Sequence, residues 1–353
     1  MEKKTIVHLI TGLGGGGAEQ MVLKLGMEAQ KLDVDTLVVS ISNINTLEQK
    51  FKDAKVPHCF LGITSVFKVF KGLRELKKRL SDENELVLHC HMFHALMIGL
   101  VFQLFYRKLP IVFTLHNTTV ERKYRAFLLG FSKIFRKADI LFSKSGAQWF
   151  LKNSIVIPNG LDISNFEVSK EVRLKQNFDQ TFHFLFLGSL TEQKNPLSLV
   201  NFASDLLENG ISNFVIDVVG DGQMRTQLEE KITNANHQNN IKLHGFSNKV
   251  IDFLKSSHCL IMPSHWEGMP VVILEAGAAR LPIISTPVGS IPDIVSNDKG
   301  YLAELKSFSK TMQKVVEDYS TALKKSDIFY SHVVDNYSIQ EVFKKHLELY
   351  HSV

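Results

Sequence analysis

Only three cysteines occur in 353 residues, Cys59, Cys90 and Cys259, and none belongs to a Cys-x-x-Cys pair. That excludes a disulfide framework and suits a reducing compartment. Long apolar runs are missing too. The longest, ALMIGLVFQLFY from Ala95 to Tyr106, falls well short of the roughly 20 residues that cross a bilayer. The opening MEKKTIVHLI sets two lysines before an apolar run, but His8 interrupts it, glycines end it and no small-residue cleavage site follows. It is not read as a signal peptide. The charge excess is small, at +5, and no recognition motif accompanies it, so nucleic acid is not expected as a partner. Solenoid-length repeats and low-complexity tracts are absent.

What is present describes an ordered globular chain, 44% hydrophobic and 22% charged, long enough for two domains with separate cores. Apolar runs alternate with helical patterns throughout. TIVHLI, TLVVSI, LVLHCH and IVFTLH mark strands in the first half. FHFLFLG, FVIDVVG, IKLHGF, CLIMPS and LPIISTP mark them in the second. Continuous apolar strands separated by helices indicate parallel sheets covered on both faces. The polar, turn-rich stretch IPNGLDISNFEVSKEVRLKQNFDQ places a boundary near 165–180. The expected fold is α/β, two doubly wound Rossmann-like domains with a cleft between them. The domains are 1–165 and 176–330, with ligands at the carboxyl ends of the strands.

Gly12, Gly14 and Gly17 fit G-x-G-x-x-G between the first strand and a helix that begins near Ala18. Such a turn offers free N–H groups and a positive dipole end to an anion, and glycine lets the ligand approach the backbone. A tight, flexible turn with no ligand is the alternative. The dinucleotide version further needs an acidic residue near the end of the second strand. Thr36 to Ile41 instead runs into Ser42, Asn43 and Asn45.

In the second half, Glu267 and Glu275 stand eight residues apart in PSHWEGMPVVILEAGAARLPIISTPVGSIPDIV. Glu267 is expected in the loop before a helix and Glu275 further along that helix. A carboxylate beside N-terminal amides suits a polyhydroxylated ligand that carries phosphate. On spacing alone, a pair of helix-dipole and surface glutamates is the favoured reading.

The full block, Pro263-Ser264-x-x-Glu267-Gly268-x-Pro270 with Glu275-Ala276 and Pro282, resembles the signature of retaining glycosyltransferases of family 4, of GT-B fold. Matching pieces follow in order: GGGGAEQMV, TLHNT with His116, VIPNGLD, FLGSLTEQKNP with Lys194, VVGDGQMRTQLE, and YSIQEVFKKHLELY as a last helix, about 338–353, returning to the first domain. The resemblance implies roles for each. Glu267 bonds donor-sugar hydroxyls, with the Gly268 and Met269 backbone near the sugar or diphosphate. Glu275 bonds the ribose, and Lys194 neutralises the leaving diphosphate. The Gly15 and Gly16 amides touch that diphosphate, and His116 sits beside the anomeric carbon. Same-face attack without a metal or other cofactor is the implied route. Two departures stand out. Ser189 occupies a position where many relatives have Arg, and Arg280 one where they usually have Gly.

Other signals are weighed against plainer readings. Asp33-Val34-Asp35 precedes the second strand on a turn, the wrong place for a metal-binding D-x-D. His89, Cys90, His91 and His94 have possible ligand spacing, but core or cleft-lining histidines fit a strand end better. VFKVFKGLRELKKRL and RKYRAFLLGFSKIFRKAD interleave aromatic and basic residues, with Phe67, Phe70, Leu73 and Leu76 spaced for one helical face. Either the helices pack normally with solvated lysines, or they meet an anionic membrane.

The resemblance thus implies a cytoplasmic glycosyltransferase, peripheral at the inner face of the membrane. It moves a sugar from a nucleotide donor, UDP favoured over GDP, to a lipid-linked glycan in cell-surface polysaccharide assembly. A sugar-nucleotide epimerase of the same fold, an NAD-dependent oxidoreductase and a non-catalytic binding subunit are the alternatives.

Overall fold

The computed structural model describes residues 4–81, 85–106, 109–116, 123–143, 148–174 and 181–353. Asn117, Thr118 and Arg122 of the motifs above, and 175–180 of the expected linker, lie outside the described residues. The contacts divide the chain into two units, Met1–Gly160 with Ile339–Val353, and Leu161–Ser338.

The first unit holds a parallel seven-stranded sheet. Its strands are β1 (Lys4–Ile10), β2 (Thr36–Ser40), β3 (His58–Phe60), β4 (Glu85–His91), β5 (Ile111–Thr114), β6 (Ala138–Leu141) and β7 (Ser154–Val156). Their spatial order is β3-β2-β1-β4-β5-β6-β7. Successive side chains on a strand point to opposite faces. On β1, Val7 and Leu9 enter one core cluster, while Ile6 joins a second with Met21 and Leu25 of the helix Gly17–Lys31. Both faces are therefore buried, which is why the strand reads as a continuous apolar run. The C-terminal helix Ile339–Ser352 belongs here, because Val342, Phe343 and Tyr350 complete that second cluster.

The second unit has six parallel strands: β8 (Phe182–Leu187), β9 (Phe214–Val219), β10 (Ile241–Gly245), β11 (Cys259–Met262), β12 (Ile283–Ser285) and β13 (Tyr301–Leu302). Their order is β10-β9-β8-β11-β12-β13. Phe184 and Phe186 face one cluster and Leu185 another, so the same two-sided burial applies.

Three expectations about domain bounds and strands need correction. The division falls at Gly160 and Leu161, ahead of 165–180, because Leu161 is buried in the second unit and its N–H donates to Tyr337 O at 2.8 Å. That unit also reaches Ser338, past 330, because the helix Tyr319–Tyr337 continues to pack on the helix Val271–Ala278. Strands β3, β6, β7 and β13 went unmarked; each has two to four residues, and β7 is exposed.

The helix Val66–Arg79 does not bury one face through Phe67, Phe70, Leu73 and Leu76. Val69, Leu73, Leu76 and Leu80 are buried, whereas Phe67 is 95% and Phe70 54% exposed. At 3.6 residues per turn, steps of three rotate by about −60° each, so a series spaced only by threes drifts round the helix.

Candidate active site

In the second unit the chain winds outward from β8 through β9 and β10, then returns to place β11 on the other side of β8. Loops after the two strands at such a switch point diverge and leave a crevice at the carboxyl edge. The loop after β8 carries Gln193, Lys194 and Asn195; the loop after β11 carries Ser264 and Glu267. The two are zipped together. His265 N–H donates to Gln193 O at 2.8 Å, Gln193 Nε2 to Trp266 O at 3.0 Å, and Asn195 Nδ2 to Pro263 O at 3.2 Å.

At the centre, Lys194 Nζ lies 2.6 Å from Glu267 Oε1, and Ser264 Oγ donates to the same oxygen at 2.7 Å. Their side chains are only 16% and 4% exposed, so cation and carboxylate face each other largely out of water. Gly289 holds the loop from behind. Its φ is +59°, and a Cβ there would stand 1.9 Å from Glu267 O, so a side chain would displace the carboxylate's own backbone. Ser290 Oγ then donates to Gly268 O at 2.5 Å.

Glu275 lies as expected on the helix Val271–Ala278, half-buried. Gly268 and Met269 are half-buried in the loop before it, and Ser189 is exposed just beyond β8. Arg280 takes a left-handed conformation, φ +52°, past the end of that helix, where glycine is usual. Its guanidinium stacks 3.5 Å from the Tyr330 ring centroid and pairs with Asp327. That cation is turned into its own unit, where these contacts offset the backbone cost.

In the first unit the switch point falls between β1 and β4. A pocket of about 470 Å³ opens there, lined by Thr11, Gly16 and Glu19 after β1, His94 after β4, His116 after β5, and Arg125. The helix Gly17–Lys31 begins in it with Gly16 as N-cap. A Cβ on Gly16 would meet Glu19 Oε2 at 2.7 Å. Gly15 and Gly16 are both exposed, so their amides are open to an anion.

Behind the pocket lies a buried histidine cluster. His8 on β1 sits opposite His89 on β4, and His91 is two residues further along the same face. His8 Nδ1 is 3.0 Å from His91 Nε2, and His91 Nδ1 is 2.9 Å from His116 Nε2. His89 bonds Tyr350 Oη at 2.7 Å and Thr114 Oγ1 at 2.8 Å. Burial holds His8 and His116 down at about 4 and His89 and His91 well below their ordinary value. Nitrogens of His8, His89 and His91 lie within 4.8 Å of one another, a possible ligand set. Both nitrogens of His89 and of His91 are already hydrogen-bonded, so an ion would have to break those bonds. Cys90 faces the opposite core, and His94 is exposed.

Two family models account for nearly the whole chain. "Glycosyltransferase Family 4" matches 15–165 and "Glycosyl transferases group 1" matches 168–328. This chain belongs to the family 4 glycosyltransferases. An Escherichia coli UDP-Gal:alpha-D-GlcNAc-diphosphoundecaprenol alpha-1,3-galactosyltransferase is 28% identical over 285 residues, 72% of each chain. The Staphylococcus aureus capsular polysaccharide biosynthesis glycosyltransferase CapH is 24% identical over 96% of this chain and 97% of its own. Among solved structures, Anabaena HepE in complex with UDP has TM-score 0.82 at 16% identity, covering 99% of this chain and 100% of its own. A Rickettsia africae glycosyltransferase has 0.83 at 18%, covering 99% and 98%. The fold is GT-B.

For this glycosyltransferase, sequence reasoning missed Ser264, Gly289 and Ser290 around Glu267, and His8 behind His116; His91 lies buried behind the pocket, in keeping with a core or cleft-lining histidine. Ser264 stood in the quoted motif, three residues before the carboxylate it bonds. Alternation on β1 and β4 places His8, His89 and His91 on inward positions, which was the available signal for the cluster.

Proposed function

We propose that this glycosyltransferase moves a sugar from a UDP-sugar to a lipid-linked glycan, with retention at the anomeric carbon and without a metal ion. The observation that carries the reading is the Lys194–Glu267 pair, 2.6 Å apart on the two loops of the switch point. Donor binding exchanges partners: Nζ takes diphosphate oxygens, Glu267 accepts from sugar hydroxyls, and Glu275 accepts from the ribose. With Ser189 replacing an arginine, Lys194 carries more of the diphosphate charge. The Gly15 and Gly16 amides receive an anionic group, and His116 positions acceptor or sugar. The acceptor oxygen bonds the anomeric carbon on the face the diphosphate leaves. The carbon–oxygen bond to diphosphate breaks with its electron pair, and the acceptor proton passes to the leaving phosphate oxygen. Lys194 stabilises the charge that develops there.

UDP is favoured because HepE, alike in fold, is described in complex with UDP and with UDP-glucose, and the Escherichia coli relative is named for UDP-Gal. The NAD reading lacks its ribose carboxylate, since β2 ends at Ser40 and Ile41, Ser42 and Asn43 follow. Thermal unfolding with UDP, GDP, UDP-sugars and NAD tests this. A ligand at about 100 times its Kd stabilises the native state by roughly 2.7 kcal/mol. A shift with UDP is expected, and one with NAD alone overturns the reading.

In this reading the acceptor lies at the cytoplasmic face of a membrane, to which the protein binds peripherally. No helix among the described residues is long and apolar enough to cross one. The first unit instead exposes Phe127, Phe131, Ile134 and Leu104 on neighbouring elements. Gln103 Nε2 donates to Phe135 O, Trp149 packs on Gly130, and Lys133 bonds Trp149 O, so the elements that carry these residues adjoin. Lys77 reaches it through Phe105 O at 3.3 Å. Aromatic side chains amid lysines suit anionic headgroups. In flotation with vesicles, binding to phosphatidylglycerol is expected and binding to phosphatidylcholine is not. The double variant Phe127→Asp/Phe131→Asp should lose binding with its Tm held. Equal binding by that variant would remove this surface from the membrane contact.

A further inference from the structure

The three imidazoles of His8, His91 and His116 form one thread from the sheet interior to the pocket. Two hydrogen bonds link them, at 3.0 and 2.9 Å. Its inner end is His8 Nε2, fully buried and without a partner among the described residues. Its outer end is His116, which lines the pocket. Burial keeps all three rings neutral. A neutral imidazole has one N–H and one lone pair, so each bond needs one ring to donate and the other to accept.

A thread of three such rings has only two proton arrangements. In one, every N–H points outward: His8 Nδ1–H to His91 Nε2, His91 Nδ1–H to His116 Nε2. His116 then carries its own proton on Nδ1. In the other, every N–H points inward, and His8 Nε2–H ends unpaired in the core. Orphaned buried N–H groups are rarer than under-satisfied acceptors. The outward arrangement leaves only a bare lone pair at the inner end.

We propose that His91, backed by His8, is a positioning residue that locks His116 in the Nδ1–H tautomer. His116 then offers the pocket a hydrogen-bond donor and no basic nitrogen. Its partner is an oxygen of the sugar or acceptor, and it holds that oxygen instead of removing a proton. This deepens the reading of the pocket given above and rests on it for the identity of the oxygen. The tautomer itself is independent of any substrate.

The test is proton-detected ¹⁵N NMR of histidine-labelled full-length protein, which distinguishes Nδ1–H from Nε2–H in each ring. In the wild type, His116 is expected as Nδ1–H at pH 7. In His91→Phe it should relax towards Nε2–H. kcat should fall about tenfold, while the UDP-induced thermal shift stays unchanged. A wild-type spectrum with His116 as Nε2–H overturns the proposal even if the variant does not fold. So does a folded His91→Phe that keeps Nδ1–H on His116. Failure of UDP to bind the wild type would instead count against the donor reading and leave the tautomer result standing.

Discussion

Glu267→Gln is expected to fold and to lose transfer by at least about 100-fold, the scale for removing one preorganised charged group from a transition state. The amide keeps the shape of the carboxylate, and its oxygen still accepts from Lys194 Nζ and Ser264 Oγ, now 2.6 and 2.7 Å from Glu267 Oε1. The stability cost should therefore stay below the ~3–5 kcal/mol of a buried charge stripped of its partner. On the proposed reading, what disappears is the negative acceptor for sugar hydroxyls, together with the charge that sets Lys194 in place. Lys194→Ala reverses the pattern on stability: Glu267, 4% exposed, keeps Ser264 but loses its cation, so Tm falls further. Glu275→Gln, at the ribose in this reading, should raise donor KM with kcat nearly held. Initial rates of UDP release and a melting curve for each variant separate the three. Full activity in Glu267→Gln would remove that carboxylate from the chemistry.

The second large effect is loss of stability in mild acid. Burial lowers His8 and His116 to about 4 and His346 to about 3, and pushes His89 and His91 well below the ordinary histidine value. The unfolded chain takes up these protons near pH 6.5, while the folded chain takes up those of His8 and His116 only near pH 4 and that of His346 only near pH 3. Between those values the unfolded state binds more protons, so stability rises with pH and drops on acidification. Each such group contributes about 1.4 kcal/mol per pH unit. A few of them over two pH units match the ~5–15 kcal/mol of a typical fold. Asp139, raised by burial to about 6, works the other way and offsets roughly one of them. Urea midpoints from pH 8 to 4.5 should fall steeply below pH 6.5. His346→Leu should reduce that slope by close to one proton. A midpoint that stays level from pH 6.5 to 4.5 would mean that these histidines are not held neutral in the fold.

Much of this was legible in the linear chain because burial on both faces of a strand leaves a local trace. TIVHLI, LVLHCH and FHFLFLG are runs of apolar residues that only a doubly covered strand can hide, and all three form such strands. Glycine followed by a helical pattern marked the turn at Gly16 for the same local reason. Short, mixed segments such as Ser154–Val156 leave no such trace, because three exposed edge residues satisfy no periodicity. Phe67 and Phe70 were misplaced because spacing by threes mimics a face over one turn and departs from it over the following turns.

The sequence by itself thus determined the alternation of elements, the two-sided sheets, the Gly loop and the loop-then-helix placement of Glu267 and Glu275. Each depends on neighbours a few residues away. Strand order decided the rest. Lys194 and Glu267, 73 residues apart, meet because β8 and β11 are adjacent. His8, His91 and His116 form one thread because β1, β4 and β5 lie side by side, which no spacing along the chain encodes. Gly289 supports Glu267 from the far side of β12 only because that strand follows β11 in the sheet. Side-chain type is written locally, but which side chains share a crevice is set by how the strands are ordered.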